Sequence, residues 1–135
     1  MARALRVTSF IEPKNLSDLV KYEDNESYTR DAGTIVSGAG IVPFARVLGK
    51  ITASGKWTSY TPGAADGSQI ASGILLTSSL DATAADAVGA VILVRGPSIV
   101  ALQELTWGAA VTTQGHKDTG VAALQTAGIV SRAEA

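Results

Sequence analysis

Over residues 46–53 (RVLGKITA), Val47, Gly49, Ile51 and Ala53 interleave with Leu48, Lys50 and Thr52. Successive side chains of a strand point to opposite faces, so this period of two predicts a β-strand. The small pair Ser54-Gly55 follows and predicts a tight hairpin, with residues 56–60 (KWTSY) as the returning strand. Residues 61–67 (TPGAADG) form the next turn. Residues 68–76 (SQIASGILL) place Gly73 inside an apolar run, the mark of a bulge or of close backbone approach. Residues 90–94 (AVILV) are apolar throughout, which fits a strand covered on both faces. That run ends at Arg95-Gly96-Pro97, and residues 98–102 (SIVAL) begin another.

One helix is predicted near the C-terminus, from Asp118 or slightly earlier to Ala127, because Val121, Leu124 and Ala127 recur every three residues as a narrow apolar stripe. Asp118 is its expected cap, and Gly128 suits the left-handed position beyond its end. Ile129 and Val130 return to β-branched residues and a final strand. Strands bounded by glycine, without alternating strand–helix units, argue against a doubly wound sheet. The fold class is mainly β: a small barrel-like or β-clip body with one short C-terminal helix and an extended N-terminal arm.

Charge divides the chain differently. Residues 1–30 hold five basic groups (Arg3, Arg6, Lys14, Lys21, Arg30) and five acidic ones (Glu12, Asp18, Glu23, Asp24, Glu26). The other 105 of the 135 residues share only thirteen. The first thirty contain no glycine and keep no sustained period, so they read as an arm, 1–30, ahead of a body, 31–135. Phe10, Ile11, Leu16, Leu19, Val20, Tyr22 and Tyr28 are more apolar bulk than a plain linker needs. The arm therefore either binds a partner or folds back onto its own body.

Composition narrows the partners. Charged residues make up 17% of the chain against about 25% for an ordinary domain, and the net charge is −1. No clustered Lys and Arg face nucleic acid or anionic lipid, so neither partner is expected. With no cysteine, neither disulfides nor thiolate metal sites hold the fold. The N-terminal residues MARALRVTSFIEPK lack the apolar run of a secretory signal, and no stretch is long enough to span a membrane.

Catalytic motifs are not found. Residues 49–56 (GKITASGK) resemble a phosphate loop only superficially, with five residues between the glycines and Trp57 where Ser or Thr must hold magnesium. Gly38-Ala39-Gly40 starts a dinucleotide motif that no third glycine or helix completes. His116 is the only histidine and is expected to be a solvated loop residue. Glu23, Asp24 and Glu26 are expected to be solvated as well. The chain is read as a non-enzyme without catalytic, metal or cofactor residues. Trp57, Tyr60 and Trp107 are expected to pack in the core or between subunits.

The strand segments taken together are distinctive. Residues 47–56 (VLGKITASGK), 66–76 (DGSQIASGILL), 91–96 (VILVRG) and 105–107 (LTW), then the helix followed by Gly128-Ile129-Val130, occur in the order seen in the head decoration proteins of tailed bacteriophages. Residues 16–22 (LSDLVKY) and 28–30 (YTR) match the segment preceding the body in longer members. The chain thus resembles that family over residues 16–132, departing at Gly108, where members often carry proline. The resemblance implies a capsid-stabilising protein that binds the mature, expanded head from outside as a homotrimer at threefold positions. Its partners would be the major capsid protein and its own copies. It would be made in the host bacterial cytoplasm and reside on the virion. The implied capsid-binding arm comprises Leu16, Ser17, Leu19, Val20, Lys21, Tyr22, Tyr28 and Arg30. The main alternative is a free-standing carbohydrate-binding or adhesion module stacking Trp57, Tyr60 or Trp107 on sugar rings.

Overall fold

The computed structural model describes residues 16–133. Ten strands dominate: β1 (Val20–Glu23), β2 (Arg30–Ile35), β3 (Gly40–Val42), β4 (Val47–Lys50), β5 (Trp57–Ser59), β6 (Ala71–Leu75), β7 (Leu80–Ala82), β8 (Ala87–Leu93), β9 (Ser98–Ala101) and β10 (Ile129–Arg132). Two single helical turns, α1 (Leu16–Leu19) and α2 (Glu26–Thr29), flank β1, and the one long helix is α3 (Gln114–Thr126). Strands β2-β5-β4-β6-β8 close into a barrel, β1-β9-β10 form a separate sheet, and β3 pairs with β7. The fold is mainly β, as the periodicities predict.

The barrel wall is apolar on both faces. Leu48, Leu75 and Ile92 pack with Ile35, Trp57 and Ala90 in one core. Their chain neighbours Val47, Ile74 and Leu93 pack with Leu19, Tyr60, Val100, Leu105, Leu124 and Ile129 in the other. Consecutive residues of a strand point oppositely, so each of the pairs Val47-Leu48, Ile74-Leu75 and Ile92-Leu93 spans the wall. The second core lies outside it, under α3 and the three-stranded sheet.

The hairpin forms as predicted, with β4 antiparallel to β5 and Leu48 opposite Ser59. Gly73 marks both expected features. The register between β4 and β6 slips by one residue beside it, and a Cβ at Gly73 would lie 2.7 Å from the Ile92 side chain. Two expectations need correction. Ala90, Ile92 and Leu93 of the run 90–94 are fully buried while Val91 is exposed, so both faces are covered only at Ile92-Leu93. The helix begins at Gln114, capped by Thr113, whose hydroxyl accepts the His116 N–H at 3.2 Å. Asp118 lies one turn inside, paired with Gln114 at 3.0 Å. Gly128 does follow the helix at φ 92°, the left-handed conformation that glycine adopts without strain.

Leu124, fully buried, is the helix's main anchor on the wall. Leu124→Ala is expected to cost about 2–5 kcal/mol in chemical unfolding, while exposed Gln125→Ala changes stability by less than about 0.5 kcal/mol. Equal effects would mean that α3 does not anchor through this face.

Candidate attachment surface

Residues 16–30 lie against the body, and Arg30 and Asp31 are successive residues of β2. Leu19 is fully buried in the outer core. β1 adds antiparallel to β9, with Val20 opposite Val100 and Glu23 opposite Ser98. The Asp24 N–H then donates to the Pro97 carbonyl at 3.1 Å. Asn25 caps α2 by accepting the Ser27 N–H at 2.9 Å, which turns the chain into β2. The segment is thus a strap, folded back over residues 16–30; residues 1–15 lie outside those described.

The residues assigned to attachment divide accordingly. Leu16, Lys21, Tyr22 and Tyr28 are exposed, with Tyr22 and Tyr28 each more than half accessible. Leu19 points into the core, Val20 packs against its edge, and Ser17 lies in α1. Arg30 is committed to an ion pair within the strap.

That ion pair centres on Glu23, which is not solvated as expected. Arg30 Nε donates to Glu23 Oε2 at 2.8 Å, and Nη2 donates to Oε1 at 2.6 Å. The Thr29 hydroxyl adds a third donor to Oε2 at 2.6 Å. The fork of Arg30, foremost, holds the Glu23 carboxyl below the usual glutamate range against the opposing cost of burial. One carboxylate thereby ties β1, α2 and β2 together. The buried Thr29 also accepts the Val94 N–H at 2.9 Å, fastening the strap to the end of β8. Beside it, Arg95 lies 5.2 Å over the Tyr28 ring and donates to Asp31 at 3.0 Å and to the Tyr28 carbonyl. Arg95 and Asp31 escaped sequence reasoning, since nothing local links positions 64 residues apart.

Of the body's four aromatics, Trp57 and Tyr60 are buried, while Phe44 and Trp107 are partly so. Trp57 is 6% and Tyr60 2% accessible. Burial pushes the Tyr60 hydroxyl up, and it donates to the His116 carbonyl at 3.0 Å. Trp107 is half-buried and meets Tyr60 edge to face, 6.3 Å between centroids. His116 is placed in the first turn of α3 rather than in a loop, its Nδ1 accepting the Thr112 N–H at 3.4 Å. Among the described residues, no group of three or more potential ligands could hold a metal ion, and no helix is long and apolar enough to cross a membrane.

The family model for bacteriophage lambda head decoration protein D matches residues 9–129, covering the strap, the barrel, α3 and the start of β10. The chain belongs to this family. A search of curated proteins gives no match. Membership makes the chain a structural protein of the phage head, located at the capsid of the virion. A head decoration protein associates with the capsid, so its functional site is a surface rather than a cavity.

The Glu23 clamp predicts a pH dependence. A carboxylate whose folded pKa is depressed contributes stability above its unfolded value, about 4.3, and loses it as pH falls through the folded value. Asp66, Asp81 and Asp86 are also depressed, chiefly by their bonds to Ser68, Thr83 and Lys56, and act in the same direction. Wild type should therefore lose urea resistance below about pH 4.3. Glu23→Gln should be less stable by about 1–3 kcal/mol at neutral pH and show a shallower acid decline. Superimposable profiles would remove the clamp from the account.

Proposed function

We propose that the chain binds the outer surface of the mature, expanded head as a homotrimer at threefold positions, where it cements major capsid protein subunits. The family match over residues 9–129 carries this reading. The low charge supports a protein partner over nucleic acid. Attachment runs through the N-terminal segment ahead of Leu16 together with the exposed Leu16, Lys21, Tyr22 and Tyr28.

Avidity supplies the mechanism. Each residue fixed on binding costs roughly 1–2 kcal/mol, so a single attachment contact binds weakly. Three segments on one trimer meet their sites at high effective concentration, and avidity exceeds single-segment affinity by about 10² to 10⁴. Sites spaced differently on an unexpanded head prevent simultaneous engagement. The spacing of sites then selects mature heads.

The glycan-binding alternative needs exposed rings on the body. Trp57 and Tyr60 are too enclosed to stack on a sugar, which leaves that reading only the half-buried Trp107.

Co-sedimentation with undecorated heads tests the proposal. The full chain should pellet with expanded heads and stay in the supernatant with unexpanded ones. Deleting residues 1–15 should abolish pelleting, with the unfolding transition measured alongside to show that the body stays folded. Deleting 1–30 instead removes Leu19, β1 and the Glu23 clamp, and should destabilise the body. Full head binding by the 1–15 deletion would overturn attachment through that segment.

A further inference from the structure

We propose that the outer face of β2 and β8 around Val88 is a contact surface for a second copy of this chain. A β-bulge shapes this face. Gly33 pairs with Ala90 and Ile35 with Ala87, so Val88 and Gly89 together oppose the single residue Thr34. Gly89 takes φ 82°, a conformation open to glycine and strained for other residues. Strict alternation from the buried Ala90 and Ile92 would send Val88 into the barrel. The bulge breaks the alternation and turns it outward to 74% accessibility, the highest of any large apolar side chain among the described residues.

The surroundings are also apolar. Val91 is 38% accessible on the same strand, and its partner across the ladder, Ala32, is exposed. No Asp, Glu, Lys or Arg occurs in residues 32–45 or 87–94. Charges appear only at the two ends, and each is neutralised within the subunit: Lys56 with Asp86 at 2.6 Å, Arg95 with Asp31 at 3.0 Å. Positions 86 to 95 span roughly 30 Å at the rise of a strand. The face has the composition of an interface, with an apolar centre and a polar rim.

Charge identifies the occupant. A face whose ion pairs are already closed offers nothing to compensate a charged partner for lost hydration, and so selects a surface as neutral as itself. With only thirteen charged groups among residues 31–135, each copy of this chain brings largely neutral surface, and contacts between identical subunits are more apolar than other interfaces. Around a threefold axis the contact is heterologous, with the Val88 face of one subunit meeting a different face of its neighbour. In naming the partner the inference rests on the proposed trimer.

The chain has no cysteine, so Val88→Cys carries a unique thiol. Labelled with benzophenone maleimide, it should photocrosslink to another copy of the chain, both on decorated expanded heads and in concentrated free protein. Crosslinks only to the major capsid protein, or none in either setting, would overturn the contact. In analytical ultracentrifugation, or in binding to heads if the free chain stays monomeric, Val88→Asp should weaken assembly about tenfold or more. Its unfolding midpoint should stay unchanged, and Val88→Thr should assemble nearly as well as wild type. Equal assembly by the Asp variant would also reject the contact. The two readings fail separately: unbound heads with intact self-crosslinking reject the head-binding role, whereas bound heads without self-crosslinking reject the Val88 face.

Discussion

The two-sided burial of the barrel wall is the constraint from which the rest of the molecule follows. Val47-Leu48, Ile74-Leu75 and Ile92-Leu93 each place one large side chain inside the barrel and one outside. An outward Val47, Ile74 and Leu93 form an apolar surface that water cannot be left to cover, at about 25 cal/mol per Å². The chain must therefore supply a second layer. Helix α3 covers part of this surface through Leu124, and the β1-β9-β10 sheet contributes Val100 and Ile129. The N-terminal strap completes the cover with Leu19.

The strap consequently belongs to the stability of the body. Leu19 and the Glu23 clamp fix one side of residues 16–30, leaving Leu16, Lys21, Tyr22 and Tyr28 on the other. A capsid contact made by those four residues would be made by a preformed surface. Such a surface loses less entropy on binding than a segment that must order itself there.

The barrel strands were legible because their periods and turn residues are local: the hairpin at Ser54-Gly55, the slip at Gly73 and the stop at Gly128 were each visible in a few letters. The strap was not. Its elements are two four-residue helical turns and a four-residue strand, each too short to establish a period. Its ties, Val20 to Val100 and Thr29 to Val94, join distant parts of the chain. The helix start was misplaced for a related reason, since Gly115 and Gly120 argue against a helix locally. Gly115 nevertheless falls in the first turn, and Gly120 is buried against Trp107 and Tyr60, where a Cβ would sit 3.0 Å from either ring. Tertiary packing overrides propensity there. Residues 16–30 were legible as a group through their apolar bulk, but which of them face outward depends on the fold.

The same wall explains why Val91 and Val88 stand apart from the other residues of β8. Ile92 and Leu93 lie where the outer sheet and strap provide a second layer, so apolar groups are buried on both faces there. Toward the start of the strand that layer ends, and alternation alone would leave only every second residue exposed. The bulge at Gly89 adds Val88 to the exposed set, at the cost of an unpaired residue in the ladder. That valine takes no part in the inner core. An apolar side chain turned outward by a backbone irregularity, on a face whose rim charges are closed within the subunit, fits a molecule that stabilises one neutral surface against another. Both cores close without that side chain.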